Sequence, residues 1–94
     1  MSISDLEQTT AIRILIYLLR RNTASRTDLR RDIDASVAAI YNALPKLRKL
    51  GLIKEEGKES FPFTIHVSLT EKGKKVAEHL DKIERILAEQ TESS

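Results

Sequence analysis

The sequence contains no cysteine, and this absence excludes a disulfide framework, a thiol nucleophile and a cysteine-ligated zinc site. It has only three glycines and two prolines, too few for a low-complexity chain, and the scattered glycines form no phosphate-binding loop. The longest apolar run covers residues 14–19 and is too short to span a bilayer. No secretory signal pattern opens the sequence. We therefore expect a cytoplasmic protein that has no membrane partner.

The overall composition is typical of a globular protein. Hydrophobic residues make up 40% of the 94 residues and charged residues 32%. A chain of this length forms one domain, here expected over residues 1–94, and its stability can depend on a partner subunit. The formal net charge of +2 permits nucleic-acid binding without arguing for it. The position of the charges along the chain is therefore more informative than their sum.

Apolar residues that recur at steps of three and four predict a first helix over about residues 5–21. Ser4 and Glu7 have the spacing of a capping box at its start. Ile14 and Tyr17 widen the apolar arc beyond one stripe, so we expect this helix to contact neighbours on more than one side. A subunit interface and a central place in the core explain the arc equally well.

A helix-turn-helix is predicted next. Residues 22–26 form a polar connection, and Thr27 is the expected N-cap of a short second helix at about 28–33. Ser36 then caps a third helix at about 37–50, whose apolar residues share one face. Two helices joined by so short a link have the spacing of a helix-turn-helix.

A β-hairpin and a fourth helix complete the predicted elements. Gly51 supplies the left-handed stop of the third helix. Residues 52–69 then predict two strands, because apolar and polar residues alternate strictly in the second half, and Gly57 lies at the expected hairpin tip. Thr70 is the expected N-cap of the last helix, at about 71–90.

The last helix carries a seam of apolar residues at heptad-like spacing. Val76, Leu80, Ile83 and Leu87 follow each other at steps of four, three and four, with Ile86 beside them. The seam extends past what so small a domain covers, which predicts self-association through Leu80, Ile83, Ile86 and Leu87. The alternative is that the helix folds back over its own domain.

Two stretches resemble the winged helix-turn-helix superfamily. SVAAIYNALPKLRKLGLI, residues 36–53, resembles its recognition helix and exit into the wing, and VSLTEKGKKVAEHL, residues 67–80, is similar to its join between wing and final helix. The resemblance covers residues 10–80 and points to small MarR-like or PadR-like prokaryotic regulators, including archaeal ones. It implies an α+β, mainly α fold: three helices, a two-stranded hairpin wing and a C-terminal dimerisation helix.

The resemblance further implies a homodimeric transcriptional regulator that binds double-stranded DNA. The 37–50 helix of each subunit would enter successive major grooves, with half-sites about one helical turn, roughly 34 Å, apart. Ala38, Asn42, Pro45 and Lys49 lie opposite the apolar face of that helix at 100° per residue. Asn42 is suited to adenine, and Ala38 or Ala39 to a thymine methyl group.

The basic residues add expected phosphate contacts. Residues 36–54 contain four basic residues and no acidic one, while residues 20–31 are rich in arginine. Arg26 lies near the start of the second helix, where backbone amides also attract phosphate. The predicted DNA contacts are Arg26, Ser36, Ala38, Tyr41, Asn42, Lys46, Arg48, Lys49, Lys54 and Lys58.

The wing is less favourable for DNA. Glu55, Glu56 and Glu59 outnumber the lysines beside them, so we expect the wing to hold phosphate weakly. No arginine projects from the first turns of the third helix, and arginine is the commonest reader of guanine. These features predict modest specificity that favours A·T-rich sites.

Pro45 lies within the third helix, where it either curves the helix around its core or contacts DNA directly. It removes the amide that would bond the Tyr41 carbonyl, but on the outward side of the helix water can satisfy that carbonyl. We expect it to curve the helix around its core.

Other functions fit less well. His66 and His79 lack a nucleophile or a second ligand at metal spacing, so we expect no enzyme, no metal and no cofactor. Asp32 and Asp34 lie at a helix end with no pocket implied, so we expect them to cap the helix or form a turn rather than act as paired catalytic carboxylates. The alternatives to a regulator are a protein-interaction winged helix of the transcription machinery and a sequence-indifferent architectural DNA-binding protein. The sequence neither shows nor excludes a small-molecule effector.

Overall fold

The computed structural model describes residues 9–57 and 64–89. Its elements, in chain order, are α1 (Thr9–Arg21), β1 (Thr23–Ser25), α2 (Arg26–Asp32), α3 (Val37–Lys49), β2 (Ile53–Gly57), β3 (Ile65–Leu69) and α4 (Glu71–Glu89). The strands form one antiparallel sheet in the order β1-β3-β2. This mainly helical α+β arrangement confirms the predicted fold class. Among these elements, no helix is long and apolar enough to cross a membrane.

Helix α1 lies at the centre of the core. Ile14, Leu15 and Leu18 are completely buried, and α1 contacts α3, α4 and β3. Neighbours within the same chain therefore account for its wide apolar arc. The predicted start of this helix, including the Ser4 and Glu7 capping box, lies outside the described residues.

The start of α2 differs from the prediction. The Ser25 hydroxyl accepts a hydrogen bond from the Asp28 amide at 3.1 Å, and the Asp28 carboxylate accepts one from the Ser25 amide at 3.0 Å. This reciprocal capping box begins α2 at Arg26, so the expected Thr27 cap was wrong. The helix ends at Asp32, and Ile33 is its C-cap.

The expected polar connection before α2 was also wrong in part, because it contains a strand. Thr23, Ala24 and Ser25 pair with β3, and Ala24 is buried. The sheet therefore has three strands rather than two. A strand of three residues is too short to show alternation in the sequence.

Helix α3 has the predicted cap and the predicted buried face. The Ser36 hydroxyl accepts from the Ala39 amide at 3.1 Å, and the helix buries Ile40, Ala43, Leu44 and Leu47. Pro45 is exposed and the helix continues through it to Lys49. Gly51 follows with a φ of 77°, the left-handed conformation that the sequence predicts.

Strands β2 and β3 form the wing. Their pairing runs from Ile53 opposite Leu69 to Gly57 opposite Ile65. Gly57 is therefore the last residue of β2, which corrects its expected place at the hairpin tip. Residues 58–63, and with them the predicted DNA contact Lys58, lie outside the described residues.

Helix α4 is seated closely on the start of the wing. The Thr70 hydroxyl accepts from the Gly73 amide at 2.9 Å, which confirms Thr70 as the N-cap, and donates to the Gly51 carbonyl at 2.6 Å. A Cβ atom at Gly73 would lie 1.9 Å from the Leu52 carbonyl oxygen. Only glycine fits this contact, and no local sequence pattern around Gly73 indicates that glycine is required there.

Candidate nucleic-acid interface

The outward face of α3 is the candidate interface. Its predicted DNA contacts are all exposed: Ser36, Ala38, Tyr41, Asn42, Lys46, Arg48 and Lys49. Burial of the opposite face against the core fixes this orientation. Pro45 is exposed in the middle of the same face. The fold thus presents an amide, small side chains and cations together on one exposed surface.

Three of the lysines on and beside this face are available to an anion. Lys46 and Lys49 lie in the last turns of α3, and Lys54 is exposed on β2. Within residues 9–57 and 64–89, none of the three forms an ion pair. Their charges are therefore not neutralised by this part of the chain.

The two predicted arginine contacts are arranged differently, because Glu55 binds both. The Arg26 Nη2 atom lies 2.8 Å from Oε2 of Glu55, and Arg48 forms an ion pair with Oε1. The Glu55 side chain is only 10% exposed, against 39% for Arg26 and 53% for Arg48. Arg26 also lies over the Tyr41 ring, 5.6 Å from its centroid. We call Arg26, Tyr41, Arg48 and Glu55 the Glu55 cluster.

Sequence reasoning missed the place of Glu55 in the site. In the sequence, Glu55 is one of several wing charges that oppose DNA, whereas in the structure it joins α2, α3 and β2. Arg26 is 29 positions away in the chain, so no local spacing could have shown this contact. The pairing of β2 with the rest of the sheet creates it.

Other arginines of the basic segment are already paired. Arg20 donates to Asp81 at 2.8 Å and to Glu84 at 3.4 Å, which directs it to α4. Arg21 is paired with Asp32. The segment therefore contributes fewer free cations than its composition suggests.

Arg31 is paired as well, with Asp28 at 3.0 Å and Asp32 at 2.8 Å. The hydrogen bond from Arg31, followed by that from Tyr17, holds the pKa of Asp32 well below its ordinary value. The backbone N–H of Ser25 is the main cause of the lowered pKa of Asp28. Both carboxylates are therefore ionised at neutral pH and reduce the positive charge of α2.

An open groove of about 300 Å³ adjoins the Glu55 cluster between α2, α3 and β3. Arg26, Arg30 and Tyr41 line it, together with the hydroxyl groups of Ser25 and Thr27. Guanidinium and hydroxyl groups are common donors to DNA phosphates. The groove thus adds further candidate anion donors beside the α3 face.

A second open cavity, of about 320 Å³, lies between α1, α4 and the turn after α2. The main donors that line it already have acceptors within the chain. Arg13 donates to the Asp34 carbonyl at 2.5 Å, and Tyr17 to Asp32 at 2.6 Å. Arg20 is paired with α4 as described above. These groups are therefore engaged without a ligand.

The C-terminal half of α4 exposes large apolar side chains. Ile83 is 53%, Ile86 50% and Leu87 65% exposed, whereas Leu80 is half-buried against the core. Beside them, the nearly buried carboxylate of Asp81 binds Arg20 and, at 3.0 Å, Arg85. Of the predicted seam, the domain therefore covers Leu80 in part and leaves Ile83, Ile86 and Leu87 exposed.

Comparison with solved structures supports the winged helix-turn-helix fold. A transcriptional regulator homologue protein from Pyrococcus horikoshii OT3 is 18% identical, with a TM-score of 0.78 over 95% of this chain and 89% of that one. A MarR-family protein from Porphyromonas gingivalis W83 is 25% identical, with a TM-score of 0.79 over 93% and 85%.

Streptococcus pneumoniae FabT, solved in complex with DNA, shares the fold at 13% identity, with a TM-score of 0.75 over 89% of this chain and 59% of that one. Comparison with the sequences of curated proteins finds no significant match. The family comparison, in contrast, matches the description HxlR-like helix-turn-helix over residues 8–94. Because this match extends over most of the sequence, the chain belongs to the HxlR-like helix-turn-helix family.

Proposed function

We propose that this protein is a homodimeric, DNA-binding transcriptional regulator without catalytic activity, whose α3 enters the major groove. The observation that carries the proposal is the exposed face of α3, where Asn42 lies between small side chains and the cations of Lys46 and Lys49. Membership of a helix-turn-helix family and the shared fold of FabT, which was solved with DNA, support it.

The contacts divide into two kinds. Lys46, Lys49 and Lys54 are suited to phosphates, which position the protein on any sequence. Asn42 has the donor and acceptor pair that adenine requires in the major groove, and Ala38 fits a thymine methyl group. The binding energy would then come mainly from the lysines and the specificity from the centre of α3.

Dimerisation is proposed through the exposed end of α4. Ile83, Ile86 and Leu87 form a compact apolar patch on a helix that extends past the core. A second copy of the helix covers such a patch if the two pack along their seams. A dimer also places two α3 helices for successive grooves.

The test of DNA binding is a triple replacement of Lys46, Arg48 and Lys49 by Ala. Fluorescence anisotropy with a labelled duplex should show binding by the unsubstituted protein and none by this variant. Replacement of Lys74, Lys75 and Lys82 by Ala is the matched control, because it removes the same charge from exposed positions of α4. Equal losses in both variants would contradict a specific role for the α3 face.

Asn42→Ala separates a regulator from a sequence-indifferent architectural protein. We expect it to weaken binding to a selected site by about 1–3 kcal/mol and to leave binding to random duplex unchanged. Equal affinity of the variant and the unsubstituted protein on both duplexes would favour the architectural alternative.

Light scattering tests the dimer. Replacement of Ile83 and Leu87 by Glu places charges in the exposed patch and should give monomers. Lys74→Gln with Lys82→Gln changes the net charge equally on another side of α4 and should leave the dimer intact. If the dimer persists in the Glu variant, the interface lies elsewhere.

A protein-interaction module is the second candidate. Val37 is 49% and Tyr41 38% exposed on the same face, where together with Pro45 they form an apolar contact surface. This candidate gains support if the unsubstituted protein fails to bind DNA even at low salt.

A further inference from the structure

We propose that Glu55 is a positioning residue for DNA binding, which holds the guanidinium groups of Arg26 and Arg48 toward the same phosphate backbone. This inference rests on the proposed function and assigns a favourable role to an acidic residue within the interface. It predicts that loss of a negative charge weakens the binding of a polyanion.

The side chains of Glu55, Arg26 and Arg48 differ in burial, and Glu55 is the innermost of the three. The Glu55 carboxylate is 10% exposed, and the two arginines above it are 39% and 53% exposed. Arg26 comes from the first turn of α2 and Arg48 from the last turn of α3. Glu55 therefore sets the relative position of one cation from each helix of the helix-turn-helix.

The held position of Arg26 depends on Glu55. Its Nε atom is buried without an acceptor in the described part of the chain, which is unfavourable for a strong donor. The ion pair with Glu55 and the contact with the Tyr41 ring offset this cost. Without the carboxylate, Arg26 gains a hydrogen bond to water when it turns away from this position.

The arrangement favours positioning over competition with DNA. A guanidinium group has five N–H donors, and Glu55 is bonded to one terminal nitrogen of each arginine. The outer N–H groups can bind phosphate while the inner ones stay on Glu55. Transfer of both arginines to phosphate would instead leave a nearly buried carboxylate unpaired, which is costly.

The experiment measures how binding of a labelled random-sequence duplex depends on salt. Glu55→Gln keeps the shape of the side chain but removes its charge. Glu55→Asp keeps the charge, but its shorter side chain cannot reach both arginines in their present positions. Glu56→Gln is the matched control, because Glu56 is the exposed neighbour and forms no ion pair among the described residues.

We expect both Glu55 variants to bind more weakly than the unsubstituted protein. The slope of log affinity against log salt should become shallower by about 0.9 for each phosphate that the variant no longer binds, thus by about 1.8 for two phosphates. Glu56→Gln should keep the slope and bind as tightly as the unsubstituted protein or slightly more so. A positioning role predicts the same direction for a variant that loses the charge and one that keeps it, whereas competition with phosphate predicts tighter binding by Glu55→Gln.

Three results would overturn the inference. The first is tighter binding or a steeper slope for Glu55→Gln, which would make Glu55 a competitor of phosphate. The second is an unchanged slope in both Glu55 variants; this removes the role of Glu55 but not the proposed function. The third is no salt-dependent binding by the unsubstituted protein, which removes both the role of Glu55 and the proposed function.

Thermal unfolding of each variant separates loss of the fold from loss of the arginine positions. A merely structural role for Glu55 lowers the melting temperature without changing the slope.

Discussion

Two carboxylates in this protein have almost the same surroundings and, we infer, different tasks. The side chains of Glu55 and Asp81 are 10% and 11% exposed, and each binds two arginines. Glu55 joins α2, α3 and the wing, with its arginines on the candidate DNA interface. Asp81 joins α1 to α4 through Arg20, and its second partner, Arg85, is one turn along its own helix.

Whether an arginine can bind a ligand depends on where its partner carboxylate holds it. The Arg20–Asp81 pair joins two helices of the core, and Arg85 binds Asp81 within α4, so both arginines serve the fold. The Glu55 pairs lie at the edge of a surface with three lysines that form no ion pair within the described residues, and we propose that their arginines bind phosphate there. The net charge of the protein does not distinguish the Glu55 pairs from the Asp81 pairs.

Gly73→Ala is expected to have the largest effect on stability. Gly73 lies on α4, the helix that carries Asp81, where α4 contacts Leu52. The new Cβ atom would meet the Leu52 carbonyl oxygen at 1.9 Å, and backbone cannot move aside as a flexible side chain does. We expect urea denaturation to show a loss of about 3 kcal/mol in the free energy of unfolding. Gly57→Ala is the control, because among the described residues its Cβ atom would meet only a side-chain carbon of Ile65, at 4.0 Å. Equal stability of the two variants would show that α4 is not seated as described.

Asp81→Asn tests whether the Asp81 pairs serve the fold alone. It should lower the free energy of unfolding by about 1–2 kcal/mol, because Arg20 and Arg85 lose a charged acceptor. It should leave the salt dependence of DNA binding unchanged, which is the reverse of the expectation for Glu55→Gln. Glu78→Gln, at an exposed α4 position without an ion pair in the described residues, is the control. A change of slope in Asp81→Asn would remove the distinction between the two clusters.

Asp32 is a third and more exposed carboxylate, and its replacement by Asn is expected to have the smallest effect on stability. Hydrogen bonds from Arg31 and Tyr17 lower its folded-state pKa below the ordinary value of 3.8. Its stabilising contribution is therefore fully present above that value and is lost as the pH falls toward the folded-state pKa. The stability difference between the unsubstituted protein and Asp32→Asn should be constant from pH 7 to about 5 and shrink below about 4. A difference that grows on acidification would contradict the assignment.

The elements that the sequence predicts well are those with long periodic patterns or a capping residue. The buried face of α3, its Ser36 cap, the left-handed Gly51 and the Thr70 cap are all present. Each depends on residues within a few positions of one another. Local geometry therefore suffices to predict them.

The features that the sequence does not reveal depend on contacts between distant segments. Strand β1 exists because three residues pair with β3, and Gly73 is required by the carbonyl of Leu52. Ser25 rather than Thr27 caps α2 because the pairing of β1 ends at Ser25. The role of Glu55 likewise follows from how β2 is placed beside α2 and α3.

The candidate site is predictable in its centre and less so at its edges. Periodicity alone places Ala38, Asn42 and Lys49 on the outward face, and the structure has them exposed. The arginines are harder to place, since sequence shows a charge but not its partner. The structure directs Arg20 to α4 and Arg26 to Glu55.

The decisive measurement is fluorescence anisotropy of a labelled random duplex, titrated with the unsubstituted protein at several salt concentrations. DNA binding through the α3 face and the Glu55 cluster predicts affinity that falls steeply with salt, with a log–log slope that corresponds to about 4 to 10 phosphate contacts. No binding even at low salt would contradict the proposed function and turn attention to a protein partner for the exposed face of α3.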